Sequence, residues 1–363
     1  MSGPPRWIES ERVWAVTRYR DAAMLLKSDD VALVDVVEHL GRISTRLGGA
    51  FPNLLLLLGT SHPFQNGAAH EAARAALKDM IGGMLRHWTA DAIGGLVSRL
   101  LAPLADGTAF DAVQEIATAL PSAILADTLA IDAAKIQTLR ELSRTISTIW
   151  HRDTFALKDL RAMEAAAARQ VALLRDSMDG AQSAEFARIA FLVLAGVDST
   201  AGLLGSAIHL LSERPSLQER LRADPALAPD VVNETLRMWP PLRRIVGRTM
   251  LREIALPDAV LPRGAILLID LERAHRDGDV FAEPERFDPG RKGPPPLAFG
   301  FGAHACVGAA LARLEAKVLI ERLARDFAVH PAGDAVRGTS PDWHEFLRLP
   351  IRLERRSSPL PQS

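Results

Sequence analysis

The chain has 363 residues and one cysteine, with 43 Lys and Arg against 44 Asp and Glu, for a formal net charge of −1. With 48% hydrophobic and 24% charged residues, the composition is that of a globular protein. It excludes wholesale disorder, nucleic-acid binding driven by overall charge, a disulfide framework, and a multi-cysteine zinc or iron–sulfur site. Six Trp, one Tyr and 12 Phe leave the core to Ala, Leu, Val and Ile.

The opening MSGPPRWIESERVW has no apolar h-region and no cleavage signal, which reads as cytoplasmic. Val13–Tyr19 is β-branched and aromatic and predicts a strand. Asp21–Asp30 predicts a short helix. From Ala68 to Leu221, Ala, Leu, Glu and Arg dominate. They predict successive helices, with breaks at Pro103, Asp106–Gly107, Pro121, Asp179–Gly180 and Pro215. The longest apolar stretch, Ile189–Leu211, matches a membrane span in length. Asp198, Ser199, Thr200, Ser206 and His209 interrupt it, so a helix buried in a large protein is the better reading and no membrane is expected. Ala259–Leu271 predicts a strand pair across Pro262–Arg263–Gly264. A last helix is expected from about Gly308 to Phe327, then a strand at Leu347–Leu353. Length alone allows two or three domains. No linker or repeat is visible, so 1–363 reads as one mainly helical domain with a small β region. Its parts are a β-containing segment to about residue 60, a helical core with β elements over about 61–353, and a disordered tail over about 354–363.

The single thiol lies in Phe299–Gly308, FGFGAHACVG, just before a strongly helical segment. A helix N-terminus favours a thiolate through its dipole and free N–H groups. A thiolate is a soft ligand able to hold haem iron. Gly302 and Gly308 let the backbone pass close to a flat macrocycle. A Cys taken alone is more often a buried core residue.

The spacing F-x-x-G-x-H-x-C-x-G, filled by Phe299, Gly302, His304, Cys306 and Gly308, resembles the haem-binding loop of cytochromes P450. A chance match is on the order of one in ten thousand. The resemblance implies a mainly α fold with a small β region and haem b held between the I-helix and the Cys-loop and L-helix. Cys306 would be the metal ligand, Phe299 would pack beside it, and His304 would bind a propionate.

Glu-x-x-Arg recurs in the chain, and most matches are solvated helix pairs. Glu234 and Arg237, before Pro240–Pro241, resemble the family's K-helix pair, with Arg286 of P-E-R-F as the third member of a structural triad. His70 and Arg74, at i,i+4, share a helix face suited to a carboxylate. Read alone they fit a solvated face, whereas the resemblance makes them propionate ligands together with Arg248. Asn66–Ala69 replaces the family's usual Asp-Pro-Pro, which leaves the start of that helix open.

Ala195-Gly196-Val197-Asp198-Ser199-Thr200 resembles the I-helix signature. Ala195 and Gly196 would leave room for O2 as co-substrate. Asp198 with the hydroxyls of Ser199 and Thr200 would relay protons. Ser199 stands where the family usually has Thr. The other reading of Asp198 is an N-cap of a broken helix or a structural hydrogen bond.

Resemblance places the substrate pocket at Phe51–Phe64, Phe191–Ser199 (with Val193) and Leu242–Val246 (with Arg244 and Ile245). The first two are apolar and imply a mostly apolar small organic substrate of secondary metabolism or catabolism. Arg244 could bind a substrate carboxylate, pair with a propionate or point to solvent. No flavin or nicotinamide fingerprint is present, so electrons are expected from a ferredoxin and its reductase. Arg74, Lys78, Arg313 and Lys317 are candidates for the docking patch, and ordinary solvated charges are the other reading of each. The family implies a monooxygenase. The same fold doing redox-neutral isomerase or dehydratase chemistry, or recruiting a partner, is the alternative. The chain is shorter than usual at its start and around Thr154–Ala184, which suggests an open pocket or a large, carrier-bound substrate.

Overall fold

The computed structural model describes residues 2–150, 156–178 and 183–356. The expectations placed on 151–155, 179–182 and the tail from 357 lie outside them. Strands β1 (Arg6–Ile8) and β2 (Val13–Val16) form an antiparallel ribbon. The strand expected through Tyr19 stops at Val16, because α1 (Tyr19–Lys27) starts there. Buried Asp277 accepts the Tyr19 N–H at 2.9 Å and so satisfies a donor that a helix start leaves open. Next come β3 (Val31–Leu33), α2 (Val36–Arg46) and α3 (Pro52–Gly59). Asp35 caps α2 by accepting the Glu38 N–H at 2.7 Å.

The helices α4 (Gly67–His87) and α5 (Ala90–Leu101) lead to β4 (Phe110–Asp111). A six-residue π-helical turn, Val113–Thr118, then runs directly into α6 (Ala119–Leu129). Pro121 was expected to break a helix here and does not. The wide turn just before it interrupts the usual i→i−4 ladder where the proline lacks a donor.

Then come α7 (Ala133–Ser147), α8 (Leu157–Ser177) and α9 (Ser183–Glu213). From α8, Glu164 accepts the Asn53 and Leu54 N–H groups at 3.2 and 2.9 Å, a carboxylate placed at the positive end of α3. By length and composition α9 could cross a membrane, but 67% of its apolar window is buried inside the protein. It packs against α3, α6, α7 and α8, which explains why it is apolar on every side.

Helices α10 (Pro215–Ala223) and α11 (Ala228–Met238) precede β5 (Arg244–Met250), β6 (Ile254–Leu256), β7 (Ala259–Leu261) and β8 (Ile266–Asp270). The strands flanking Pro262–Gly264 do not pair with each other. β7 pairs with β6, while β8 joins the five-stranded sheet β1-β2-β8-β5-β3. The short α12 (Leu271–Ala274) and the long α13 (Ala309–Asp326) follow. The chain then forms β9 (Phe327–Pro331), β10 (Val336–Arg337), β11 (Phe346–Arg348) and β12 (Pro350–Arg355). The one strand expected at 347–353 is two, because β11 pairs with β10 while β12 lies between β4 and β9.

Behind the cysteine loop sits a buried ion cluster. Arg237 donates to both oxygens of Glu234 at 2.8 Å and to the His275 and Pro284 carbonyls at 2.8 Å. The third side chain is Arg291, whose Nε donates to Glu234 at 3.1 Å. Arg286, expected in that place, is 63% exposed and pairs with Glu283. Its contribution is its main-chain carbonyl, which accepts from Arg237 and Arg291. His275 is fully buried. Its Nε2 accepts the Leu297 N–H at 2.7 Å, so Nδ1 carries the proton and donates to the Arg237 carbonyl at 3.0 Å. Burial lowers its pKa to about 3, which keeps it neutral.

Removing one partner from a buried ion cluster strands the others without water. Arg291→Ala should therefore cost roughly 3 kcal/mol in urea unfolding. Arg286→Ala, at an exposed pair, should stay within about 0.5 kcal/mol of the unmodified protein. Equal costs would show that Arg291 does not hold the third place.

Candidate active site

A 3-10 turn, Leu297–Phe299, leads into the cysteine loop, which bends at Gly300 and Gly302 with φ of +64° and +70°. A Cβ at Gly302 would lie 2.7 Å from the Leu26 carbonyl oxygen, so only glycine lets the loop press onto the end of α1. The Cys306 N–H donates to the Phe299 carbonyl at 2.7 Å and closes the loop. The N–H groups of Gly308 and Ala309 at the start of α13 act on the sulfur and lower its pKa. Burial has the largest effect on the thiol and raises its pKa, against those N–H groups and the charges of Arg74 and Arg313. The thiolate expected from the helix end alone is thus outweighed by desolvation. A metal that takes this sulfur must displace a proton.

Cys306 is exposed toward a cavity of about 710 Å³. Phe299, His304, Cys306 and Gly308 form one wall, and α9 supplies another through Phe191, Leu192, Ala195, Gly196, Ser199 and Thr200. A Cβ at Gly196 would meet only Leu125, at 3.8 Å, so packing does not require glycine there. The Ser199 hydroxyl donates back to the Ala195 carbonyl at 2.5 Å. Asp198 does not line this cavity. It lies in the middle of an unbroken helix, which removes the N-cap reading, and opens into a separate chamber of about 80 Å³. There Arg140 donates to it at 2.7 Å and Arg144 reaches it at 3.5 Å.

One corner of the site is cationic. The rings of His70 and His304 lie 4.1 Å apart. Burial, then Arg74 and Arg248, lower the His70 pKa. Burial alone lowers that of Arg248 to about 10. The Arg74 Nη1 is buried with no hydrogen-bond partner among the described residues. The register of β5 slips between Ile245 and Arg248, and Gly247 takes φ +73° there. Such a bulge re-aims a side chain. A flat group with two carboxylates at one edge and a soft metal at its centre fits these residues. Haem b is such a group: Cys306 would hold its metal, and the basic corner would bind its propionates.

The remaining pocket residues are redistributed. Of Phe51–Phe64 only Pro63 and Phe64 line the cavity, because α3 turns away toward α8 and α9. In its place one face of α2 lines it with Asp35, Glu38, His39 and Arg42. Ile245 lines the cavity, whereas Val193 is 1% exposed in the core on another face of α9. Arg244 lines it too, but its Nε donates to Asp342 at 2.7 Å and Nη1 reaches Glu11 at 3.4 Å. Of the three readings open for Arg244, the structure shows none: its partners are carboxylates of the protein itself. Trp343 completes that wall, and nothing in its loop sequence marks it. Of the expected docking cations, the Arg74 and Arg313 charges are turned inward: Arg313 stacks 4.3 Å over Phe299. Lys317 pairs with Glu321, and Lys78 is exposed.

The family model described as Cytochrome P450 matches residues 186–354. Cytochrome P450 107B1 of Saccharopolyspora erythraea is 27% identical over 89% of this chain and 84% of its own length. The P450 monooxygenase PikC of Streptomyces venezuelae is 30% identical over 75% of this chain and 70% of its own. Among solved structures, CalO2 superposes with a TM-score of 0.81 at 24% identity, covering 98% of this chain and 93% of its own. A thermophilic cytochrome P450 from Sulfolobus tokodaii gives 0.77 at 22% identity, covering 98% and 97%.

One cavity residue was missed that the helical pattern marks. Glu315 falls on the buried stripe Leu311, Ala312, Ala316 and Leu319 of α13, where a carboxylate is out of place. It lines the cavity at 3% exposure, and its Oε2 has no hydrogen-bond partner among the described residues. Burial raises its pKa to about 8 from 4.5. The folded protein then binds a proton that the unfolded chain has lost between these values, so this stabilisation is complete below about pH 4.5 and disappears as pH rises toward about 8. Glu315→Gln should flatten that decline, measured as urea stability against pH. A parallel decline in both proteins would remove Glu315 as its source.

Proposed function

The chain belongs to the cytochrome P450 family of haem-thiolate monooxygenases, and we propose how its own residues carry that chemistry and on what class of molecule. The observation that supports the reading is one juxtaposition. The Cys306 sulfur, at the start of α13, faces the small residues of α9 across a cavity lined at one corner by Arg248 and His304, with His70 against His304 and Arg74 beside His70 just outside the lining. Bound haem supplies the iron at which dioxygen is activated for transfer of one oxygen atom to a substrate.

In this reading Cys306 holds the iron, and the Gly308 and Ala309 N–H groups temper the charge on its sulfur. The basic corner fixes the propionates and with them the orientation of the ring. Ala195 and Gly196 keep side-chain bulk away from the opposite side. Ser199 and Thr200 offer hydroxyls to the cavity, and Asp198 exchanges protons with the chamber behind α9. For Ser199 to pass a proton inward its Oγ must leave the Ala195 carbonyl. Serine, lacking the methyl of threonine, has the freer rotation for that step. Electrons come from a ferredoxin and its reductase, as the family resemblance implies.

The substrate is a small, mostly apolar organic molecule with one polar end. Leu125, Phe191, Leu192 and Ile245 receive the apolar body, and the charged face of α2 receives the polar end. Arg244 is committed to Asp342, so a carboxylate is not what Arg244 selects.

Cys306→Ser should abolish the thiolate signature in the carbon-monoxide difference spectrum of the reduced protein, and no second cysteine can replace it. A retained signature would exclude Cys306 as ligand. In a spectral screen of candidate compounds, Glu38→Gln combined with Arg42→Ala should weaken binding of amphipathic hits about tenfold, equal to ~1.4 kcal/mol. Wholly apolar hits should be unaffected. Equal loss for both classes would remove α2 from recognition.

A further inference from the structure

Asp198 is not clamped symmetrically. The charged groups of its chamber are Arg140 and Arg144 from α7 and Glu345 from the segment entering β11; the π-helical turn adds only the uncharged Val113, Gln114 and Thr118. Arg140 is fully engaged, donating to Asp198 Oδ1 at 2.7 Å. Arg144 reaches the same oxygen only at 3.5 Å, through Nη1, while its Nη2 donates to Glu345 at 3.1 Å. The second arginine therefore stands at the limit of hydrogen-bond reach from Asp198, on the side where Glu345 pulls.

Glu345 is held in that place by its own segment. The Arg243 N–H donates to the Asp342 carbonyl at 2.8 Å, and the His344 N–H to the Pro241 carbonyl at 2.9 Å. The Glu345 carbonyl accepts the Gly338 N–H at 3.0 Å. A Cβ at Gly202 would lie 2.8 Å from the His344 carbonyl oxygen, so the segment touches α9 one turn beyond Asp198. A carboxylate carried on a backbone anchored this way competes with Asp198 for Arg144.

We infer that Glu345 is a positioning residue for Asp198. It divides Arg144 between two carboxylates, so that one arginine, not two, restrains Asp198. The Asp198 carboxylate then keeps the freedom to turn toward the backbone step leading to Ser199. The inference rests on the reading of Asp198 as a proton carrier and adds the group that sets its mobility.

The test uses the haem-loaded enzyme labelled with 15N-arginine, whose Nε–H signals report Arg140 and Arg144. Haem loading of every variant is checked by the carbon-monoxide spectrum. Glu345→Gln should move the Arg144 signal and slow NADH-driven dioxygen consumption, with a surrogate ferredoxin and reductase, about three- to tenfold. The solvent isotope effect in D2O should grow. Glu345→Asp, which keeps the charge, should recover part of the loss. In an Arg144→Gln background the Glu345→Gln effect should vanish, because both act through one contact. Independent, additive effects, or an unchanged isotope effect in Glu345→Gln, would overturn the role of Glu345. The parent reading fails differently: Asp198→Asn would then leave the isotope effect unchanged too. If Asp198→Asn raises it and Glu345→Gln does not, only the role of Glu345 falls.

Discussion

The Cys306 sulfur sits at the start of α13, where the N–H groups of Gly308 and Ala309 favour its charged form, and the rest of the cavity is arranged around it. For the N–H groups to be free, a helix must begin there; for the sulfur to reach them, the chain must double back just before it. The turns at Gly300 and Gly302 and the bond from the Cys306 N–H to the Phe299 carbonyl supply the reversal. The loop is short and cannot hold this shape alone. Its far side rests on the end of α1 at Leu26, and its approach is pinned where His275 accepts the Leu297 N–H. His275 is in turn bonded to Arg237, so the ion cluster of α11 and the position of the sulfur belong to one network.

Charge is treated in two opposite ways. Away from the cavity corner it is closed locally. Glu234 has Arg237 and Arg291, and Arg244 has Asp342. Burial would raise the pKa of Glu272, but its pairing with His344 and Arg243 outweighs that and brings it to about 2. Such closed networks are what buried charge requires. At the corner the rule is suspended: Arg248 is desolvated and Arg74 keeps a donor without a partner. A desolvated cluster of like charges, with one donor left open beside the closed pairs above, makes the corner a place for an outside anion.

The parts legible in the sequence are those fixed over a few neighbouring residues. The spacing around Cys306 is a local backbone path, and the apolar stretch of α9 is a helix surrounded by others. The parts that were not legible depend on which distant segment arrives. Arg286 and Arg291 lie in the same turn-rich stretch, and only the fold decides which guanidinium reaches Glu234. Asp342 is 98 residues from Arg244, so nothing local could show that this arginine is occupied. The pocket wall passed from the leucines of α3 to the charges of α2 for a similar reason. The leucines are wanted by α8 and α9, and the polar helix is left at the cavity. Glu315 is the exception, since a carboxylate on an apolar helical stripe is visible without any tertiary contact.

The periodicity of α9 carries one further consequence. Ala195, Gly196, Ser199 and Thr200 face the cavity, while Asp198, Ala201, Gly202 and Gly205 face the chamber. The second set is spaced i, i+3, i+4, i+7, a single stripe on the far side of the helix. Its members after Asp198 are small, and the structure shows why. His344 lies against Gly202 and Phe346 against Gly205, at 2.8 and 3.5 Å from where a Cβ would stand. Small residues on this stripe admit the segment that carries Glu345, and only that approach brings Glu345 within reach of Arg144. The helix is thus a partition one residue thick. Its inner face is kept small where the haem site opens, and its outer face is kept small where the acid must be held. Adjacent residues, Asp198 and Ser199, stand on the two sides, so the relay proposed above would join neighbours in sequence.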